Sequence, residues 1–324
     1  MPGNDQWTAE VINSATIKNH WNRQGLGEEI LRKVTESGRS LDSLTIDDFA
    51  PFDQFHGGGK DSTMMLARLA SLERGMRVLD VGGGLGGPAR TLAALYGCSV
   101  TTLDLTDSYV EAAALLTKQL GLSSQVVHQV GDALALPFED GSFDIVWTQN
   151  SGMNIADKER LYEGFCRVLR KNGLLVLQEP MAGPVCPLIF PVMWANDESA
   201  SFLRTPEDMR AVMERAGFRV RAWKDVTEEL AAVASAPDPS STIQGLVAGK
   251  ALGAITEASR RNRVERRIVA VHAVLEKVDR TALKPFAVSD SESASVLKPL
   301  KINGSAYGSR TPLLNHHGDL TPIR

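Results

Sequence analysis

Apolar positions along this 324-residue chain change their period at Met76. Before it they recur at helical spacing in three pieces, Trp7 to about His20, Glu28 to Ser37 and Asp61 to Leu72, joined by polar stretches. From Met76 short strand-like runs alternate with longer helical ones: MRVLDV, PARTLAALYG, SVTTLDL, SYVEAAALLTKQLG and QVVHQVGDA, then FDIVWTQ, DKERLYEGFCRVLR, GLLVLQEP, TPEDMRAVMERAG and FRVRAWKDV. Such order predicts an α/β fold whose sheet is mostly parallel and carries helices on both faces. Local signals agree at the ends of elements. Thr205-Pro206-Glu207-Asp208 supplies an N-cap, a proline at the first helical position and acids in the first turn, and Gly217 closes that helix.

Three further stretches complete the organisation. Residues 184–202, PVCPLIFPVMWANDESASF, are apolar but broken by prolines, which predicts a lid or pocket wall between the fifth strand and the next helix. Beyond Val226 the loop APDPSS leads to a helix near Thr242 to Arg263, and RRIVAVHAVLEKV, rich in β-branched residues, predicts a seventh strand. From about Thr281 periodicity ends. The expected division is an N-terminal helical lid over residues 1–75, a Rossmann-like domain over 76–280 and a disordered tail over 281–324.

Composition narrows the function classes. The chain is 43% hydrophobic and 23% charged, with a net charge of −4, and this balance offers no basic footprint for a nucleic-acid backbone. Cys98, Cys166 and Cys186 have no C-x-x-C spacing, so neither a disulfide framework nor a structural zinc is expected, and the adjacent His316 and His317 lack the other ligands of a metal site. No apolar leader opens the sequence and no run reaches the roughly 18 apolar residues of a membrane span. A soluble cytoplasmic protein is predicted, with its oligomeric state left open.

The chemistry concentrates behind the first strand, in VLDVGGGLGG, where five glycines fall within residues 82–87. Gly82, Gly84 and Gly87 satisfy G-x-G-x-x-G, a dinucleotide fingerprint, while Asp80, Gly82, Gly84 and Gly86 satisfy D-x-G-x-G-x-G. Asp104 ends the second strand, about twenty residues past the loop, where an acid accepts hydrogen bonds from ribose hydroxyls in either case. Asp80 distinguishes the two, because an acid at that strand end suits a positively charged cofactor. Gly131-Asp132-Ala133 with LPF, followed by SFDIVW, completes the set.

In this combination the chain resembles the class I S-adenosylmethionine-dependent methyltransferases, and specifically their small-molecule branch of glycine, sarcosine and dimethylglycine N-methyltransferases and quinone and tocopherol C-methyltransferases. The likeness runs from about Phe52 to Trp223. It implies that Asp80, Gly82 and Gly84 surround the methionine part of S-adenosylmethionine, Asp104 with Leu105 the ribose, and Asp132 with Ala133 the adenine. On the acceptor side, Asp53-Gln54-Phe55-His56-Gly57-Gly58 resembles the D-Q-(F/Y)-H-x-G element of sarcosine and dimethylglycine methyltransferases, which marks His56. At the carboxyl end of the fourth strand, Gln149 and Asn154 offer hydrogen bonds in the expected ligand crevice, Gln149 to donor and acceptor alike. Related N-methyltransferases carry a histidine where this chain has Asn154. Glu179 is a second candidate base, and Phe55, Phe190 and Trp194 are candidates for an aromatic wall. The expected reaction is methyl transfer to a small amine or amino acid, with a quinol, phenol or isoprenoid as the alternative acceptor and cofactor binding without turnover as the remote one.

Overall fold

The computed structural model describes residues 15–233 and 242–278. The tail, the APDPSS loop and the first half of the expected Trp7 helix lie outside the described residues. Residues 15–21 form α1. The following α2 (Leu26–Glu36) buries Leu26, Ile30 and Val34, four residues apart, so one stripe faces inward and the charged residues face out. The next helix, α3 (Ile46–Asp53), is absent from the sequence reading because Pro51 interrupts its pattern, yet a capping box between Thr45 and Asp48 starts it and Phe49 and Phe52 bury its inner face. α4 (Gly59–Ala70) follows.

The sheet contains β1 (Arg77–Val81), β2 (Ser99–Asp104), β3 (Val126–Val130), β4 (Phe143–Gln149), β5 (Leu169–Ala182), β6 (Phe218–Asp225) and β7 (Ile268–Lys277). Its order is β3-β2-β1-β4-β5-β7-β6. Strands β1 to β5 pair in parallel, and β7 runs antiparallel between β5 and β6. Helices α5 (Gly87–Tyr96), α6 (Asp107–Gln119), α7 (Lys158–Val168) and α8 (Pro206–Ala216) connect the strands. Two cores result. One packs α7 and α8 on the sheet through Leu161, Phe165, Met209 and Met213, and the other packs α4 and α5 through Leu66, Ala70, Ala89 and Leu92.

Some boundaries differ from the periodic reading. Leu169 and Arg170 close the expected helix in sequence but open β5 in space, where Leu169 pairs with Phe143 across a register shift. TEELAAV forms α9 (Thr227–Val233), unread in the sequence. The single helix expected over Thr242 to Arg263 is two, α10 (Ile243–Ala248) and α11 (Leu252–Val264), because Gly249 breaks the run at φ 51° and ψ −123°. Among the described residues no helix is long and apolar enough to cross a membrane.

Strand order reverses between β1 and β4. At such a switch point the loops leaving neighbouring strands diverge, and the crevice between them lies at the strands' carboxyl ends.

Candidate active site

A cavity of about 2040 Å³ opens at that place, and the ends of β1, β2 and β4 form its floor. Ten of the residues marked in the sequence line it: His56, Asp80, Gly82, Gly84, Asp104, Leu105, Asp132, Ala133, Gln149 and Asn154. Ligand pockets are commonly about 300–1,000 Å³, so this space admits a nucleoside-sized cofactor together with a second molecule.

The glycines have different reasons for being bare. A Cβ on Gly82 would overlap the Ser151 side chain, one on Gly83 would come within 2.7 Å of Thr102 Cβ, and one on Gly87 would overlap the Asp53 backbone. Only Gly84, at φ 51°, has nothing within 4 Å of that position. Most of the loop is therefore bare so that its neighbours can approach, and Gly84 is the residue that leaves room on the cavity side. Asp104 holds it there: Oδ2 accepts the Gly84 N–H at 2.9 Å and Oδ1 the Thr106 N–H at 2.9 Å.

Asp80 is 1% exposed, and its Oδ2 has no hydrogen-bond partner. Burial, and after it the neighbouring Asp104 charge, pushes its carboxyl up to about 7. Burial also raises Asp104, against the backbone hydrogen bonds it accepts. A buried acid and a half-buried one, Asp80 and Asp104, with no cation beside them form a site complementary to a cationic ligand that brings its own donors. S-adenosylmethionine, with its sulfonium, ammonium and ribose hydroxyls, fits that donor set. Asp132 Oδ1 accepts the Leu134 N–H at 2.8 Å, which fixes the turn at the end of β3. Removing the Asp104 carboxylate should weaken S-adenosylhomocysteine binding by about 1.5–3 kcal/mol, through the ribose and through release of Gly84, and calorimetry on Asp104→Ala measures it.

The acceptor-side residues are more heavily engaged than the sequence suggested. His56 Nε2 lies 3.1 Å from Gln54 Oε1 and 3.1 Å from Thr63 Oγ1, while Nδ1 lies 3.3 Å from the Gly57 carbonyl and 3.3 Å from Gln149 Nε2. Burial lowers its pKa to about 4, so the ring is neutral at physiological pH. Gln149 accepts from Trp147 Nε1 at 2.9 Å and donates to Gln178 Oε1 at 2.9 Å. Asn154 donates to the Trp194 and Ala200 carbonyls at 3.0 and 2.7 Å and accepts from Trp21 Nε1 at 3.4 Å. It thereby joins α1, the end of β4 and the 184–202 segment around one side of the cavity.

Trp21, Tyr109 and Arg90 were not legible beforehand. Trp21 packs edge-on against Phe55 at 5.3 Å, and Trp21, Phe55, Tyr109 and Trp194 line the cavity, whereas Phe190 is not among the lining residues and packs instead beside Val192 and Trp194. The Asp53–Arg90 ion pair, 2.8 Å long and fully buried, ties the end of α3 to the glycine-loop helix α5. Glu179, the second candidate base, is buried outside the cavity. Its Oε1 accepts the Gly152 N–H at 2.9 Å, so it holds the turn beneath Asn154 and does not line the cavity.

A family profile described as "Methyltransferase domain" matches residues 79–177. Sarcosine/dimethylglycine N-methyltransferase of Halorhodospira halochloris is 33% identical over 177 residues, 52% of this chain and 62% of that protein. A probable tocopherol O-methyltransferase of Oryza sativa subsp. japonica is 39% identical over 100 residues, 31% of this chain and 28% of that one. The chain thus spans less than two thirds of the length of either relative. In fold it is similar to a putative sarcosine dimethylglycine methyltransferase from Galdieria sulphuraria, with a TM-score of 0.54 at 20% identity over 68% of this chain and 86% of the other. The matched segment runs from β1 through the glycine loop to β5, the strands whose ends build the donor half of the cavity, so residues 79–177 of this chain are similar to a methyltransferase domain.

Proposed function

We propose that this protein transfers a methyl group from S-adenosylmethionine to a small-molecule acceptor, in the cytoplasm and without a nucleic-acid partner. The buried Asp80 carboxyl, whose Oδ2 has no hydrogen-bond partner, carries this reading, because a cation beside it favours its ionised form. Bound there, the cofactor supplies a methyl already activated on a sulfonium. The protein's task is placement: aligned reactants held roughly 3 Å apart gain about 7–11 kcal/mol over free encounter. Asp80, Gly82 and Gly84 hold the methionine end, Asp104 and Leu105 the ribose, and Asp132 and Ala133 the adenine. His56, Gln149 and Asn154 form the opposite wall, and the neutral His56 ring orients its neighbours by hydrogen bonds rather than carrying charge.

The name of the sarcosine/dimethylglycine N-methyltransferase favours a small amine as acceptor, and that of the tocopherol O-methyltransferase, with the size of the cavity, favours a quinol, phenol or isoprenoid. Incubation of enzyme and S-adenosylmethionine with a metabolite extract, read by mass spectrometry, identifies the methylated product. Binding of NADH with indifference to S-adenosylhomocysteine would refute the proposal. His56→Ala is expected to lower turnover of that product about 10²-fold, as a misplacement of about 1 Å does, while donor affinity stays within a factor of a few. Loss of both together would move His56 to the donor site.

A further inference from the structure

We infer that the methyl acceptor is a neutral molecule with an apolar body and carries no carboxylate or phosphate. The inference rests on the methyltransferase reading above and narrows its acceptor. Among the described lining residues Lys33, Arg39 and Lys60 are the cations, set against nine carboxylates. Arg39 is already paired with Asp48 at 3.1 Å and Lys60 with Asp47, while Lys33 stands on α2 at the rim, where Glu36 pairs with Arg32. All three cations belong to the α2–α4 region. The sheet end contributes Asp80, Asp104, Asp132 and Asp157, with no cation.

An anionic head entering this space would lose its water and meet like charge. Recognition of a carboxylate or phosphate uses an arginine fork or an ammonium, and a buried anion without one costs several kcal/mol. The same field that favours a cationic donor therefore selects against an anionic acceptor. The lining also includes a set of large apolar side chains, Trp21, Phe55, Met153, Met193, Trp194 and Phe202. Asn154 adds little free polarity, since its amide nitrogen already serves two carbonyls. Sarcosine and dimethylglycine, the acceptors in the name of one relative, each carry a carboxylate, so the acceptor of this chain differs from them in charge.

Two probes with one body and different heads test this: para-butylphenol, neutral at pH 8, and para-butylbenzoate. Calorimetry on the full chain loaded with S-adenosylhomocysteine should find the phenol bound at least about tenfold more tightly. Phe202→Arg, at a half-buried position on the cavity wall, should then raise benzoate affinity about tenfold and leave S-adenosylhomocysteine affinity unchanged. Benzoate binding as tightly as the phenol, binding of neither probe, or no response to Phe202→Arg overturns the inference. S-adenosylhomocysteine binding is measured first: its absence defeats the methyltransferase reading, whereas its presence with the wrong probe order defeats only the acceptor class.

Discussion

Gly82→Ala should unfold the donor site, whereas Gly84→Ala should leave the fold standing and lose the cofactor. At Gly82 the backbone sits at φ 72°, a conformation that costs an L residue about 1–2 kcal/mol. Its new methyl would also occupy the place of the Ser151 side chain, which is held by the Val81 carbonyl at 3.2 Å and cannot swing aside freely. Overpacking of this kind adds about 1–3 kcal/mol, so a total loss of about 2–5 kcal/mol is expected, along with a lower melting temperature. Gly84→Ala carries only the backbone cost, because nothing lies within 4 Å of its Cβ position. That methyl instead projects into the cofactor's side of the cavity and should weaken S-adenosylhomocysteine binding at least tenfold. Thermal melts and calorimetry on both variants separate the two effects. If Gly82→Ala melts like the wild type, the close approach of Ser151 is not what keeps that position bare.

Affinity for S-adenosylmethionine should rise steeply between pH 6 and 8. Asp80 is pushed from its ordinary 3.8 up to about 7 by burial and by Asp104, so below about 7 it holds a proton and offers the cation no charge. A site competent only when ionised binds about tenfold more weakly one pH unit below that value and reaches a plateau above it. The stability effect has the opposite sign. Between about 4 and 7 the folded protein without cofactor retains a proton that the unfolded chain has released, so this group's contribution falls as pH rises and its cost is complete above about 7. Cofactor binding then offsets that cost where it is greatest. Calorimetric titrations across this range should give the rising profile in the wild type. In Asp80→Asn they should give a flatter profile with a plateau about 10- to 100-fold weaker. A wild-type profile that is flat from pH 6 to 8 would show that Asp80 is ionised throughout.

The sequence by itself determined what depends on near neighbours. Period-2 and helical runs set the strands and helices within a few residues, since each side chain's inward or outward direction repeats with the local backbone. Thr205, Pro206 and Gly217 act at the ends of their own helix, with the Thr205 side chain accepting the Asp208 N–H at 3.2 Å and Gly217 at φ 107°. Asp80, Asp104, Asp132 and Gln149 were legible as the lining of one crevice because a parallel sheet brings the carboxyl ends of its strands together whatever the loops do. Tertiary structure alone decided the rest. Gly82 is bare because of Ser151, and Asp53 meets Arg90 across 37 residues. Asn154 meets Trp21 across 133 residues, a contact that neither residue's local sequence announces. Glu179 reads as a candidate base at a strand end until the Gly152 turn folds over it. The charge balance of the cavity is decided in the same way, because which acids go unpaired depends on where distant helices bring their lysines and arginines, and no local pattern in the chain encodes that distance.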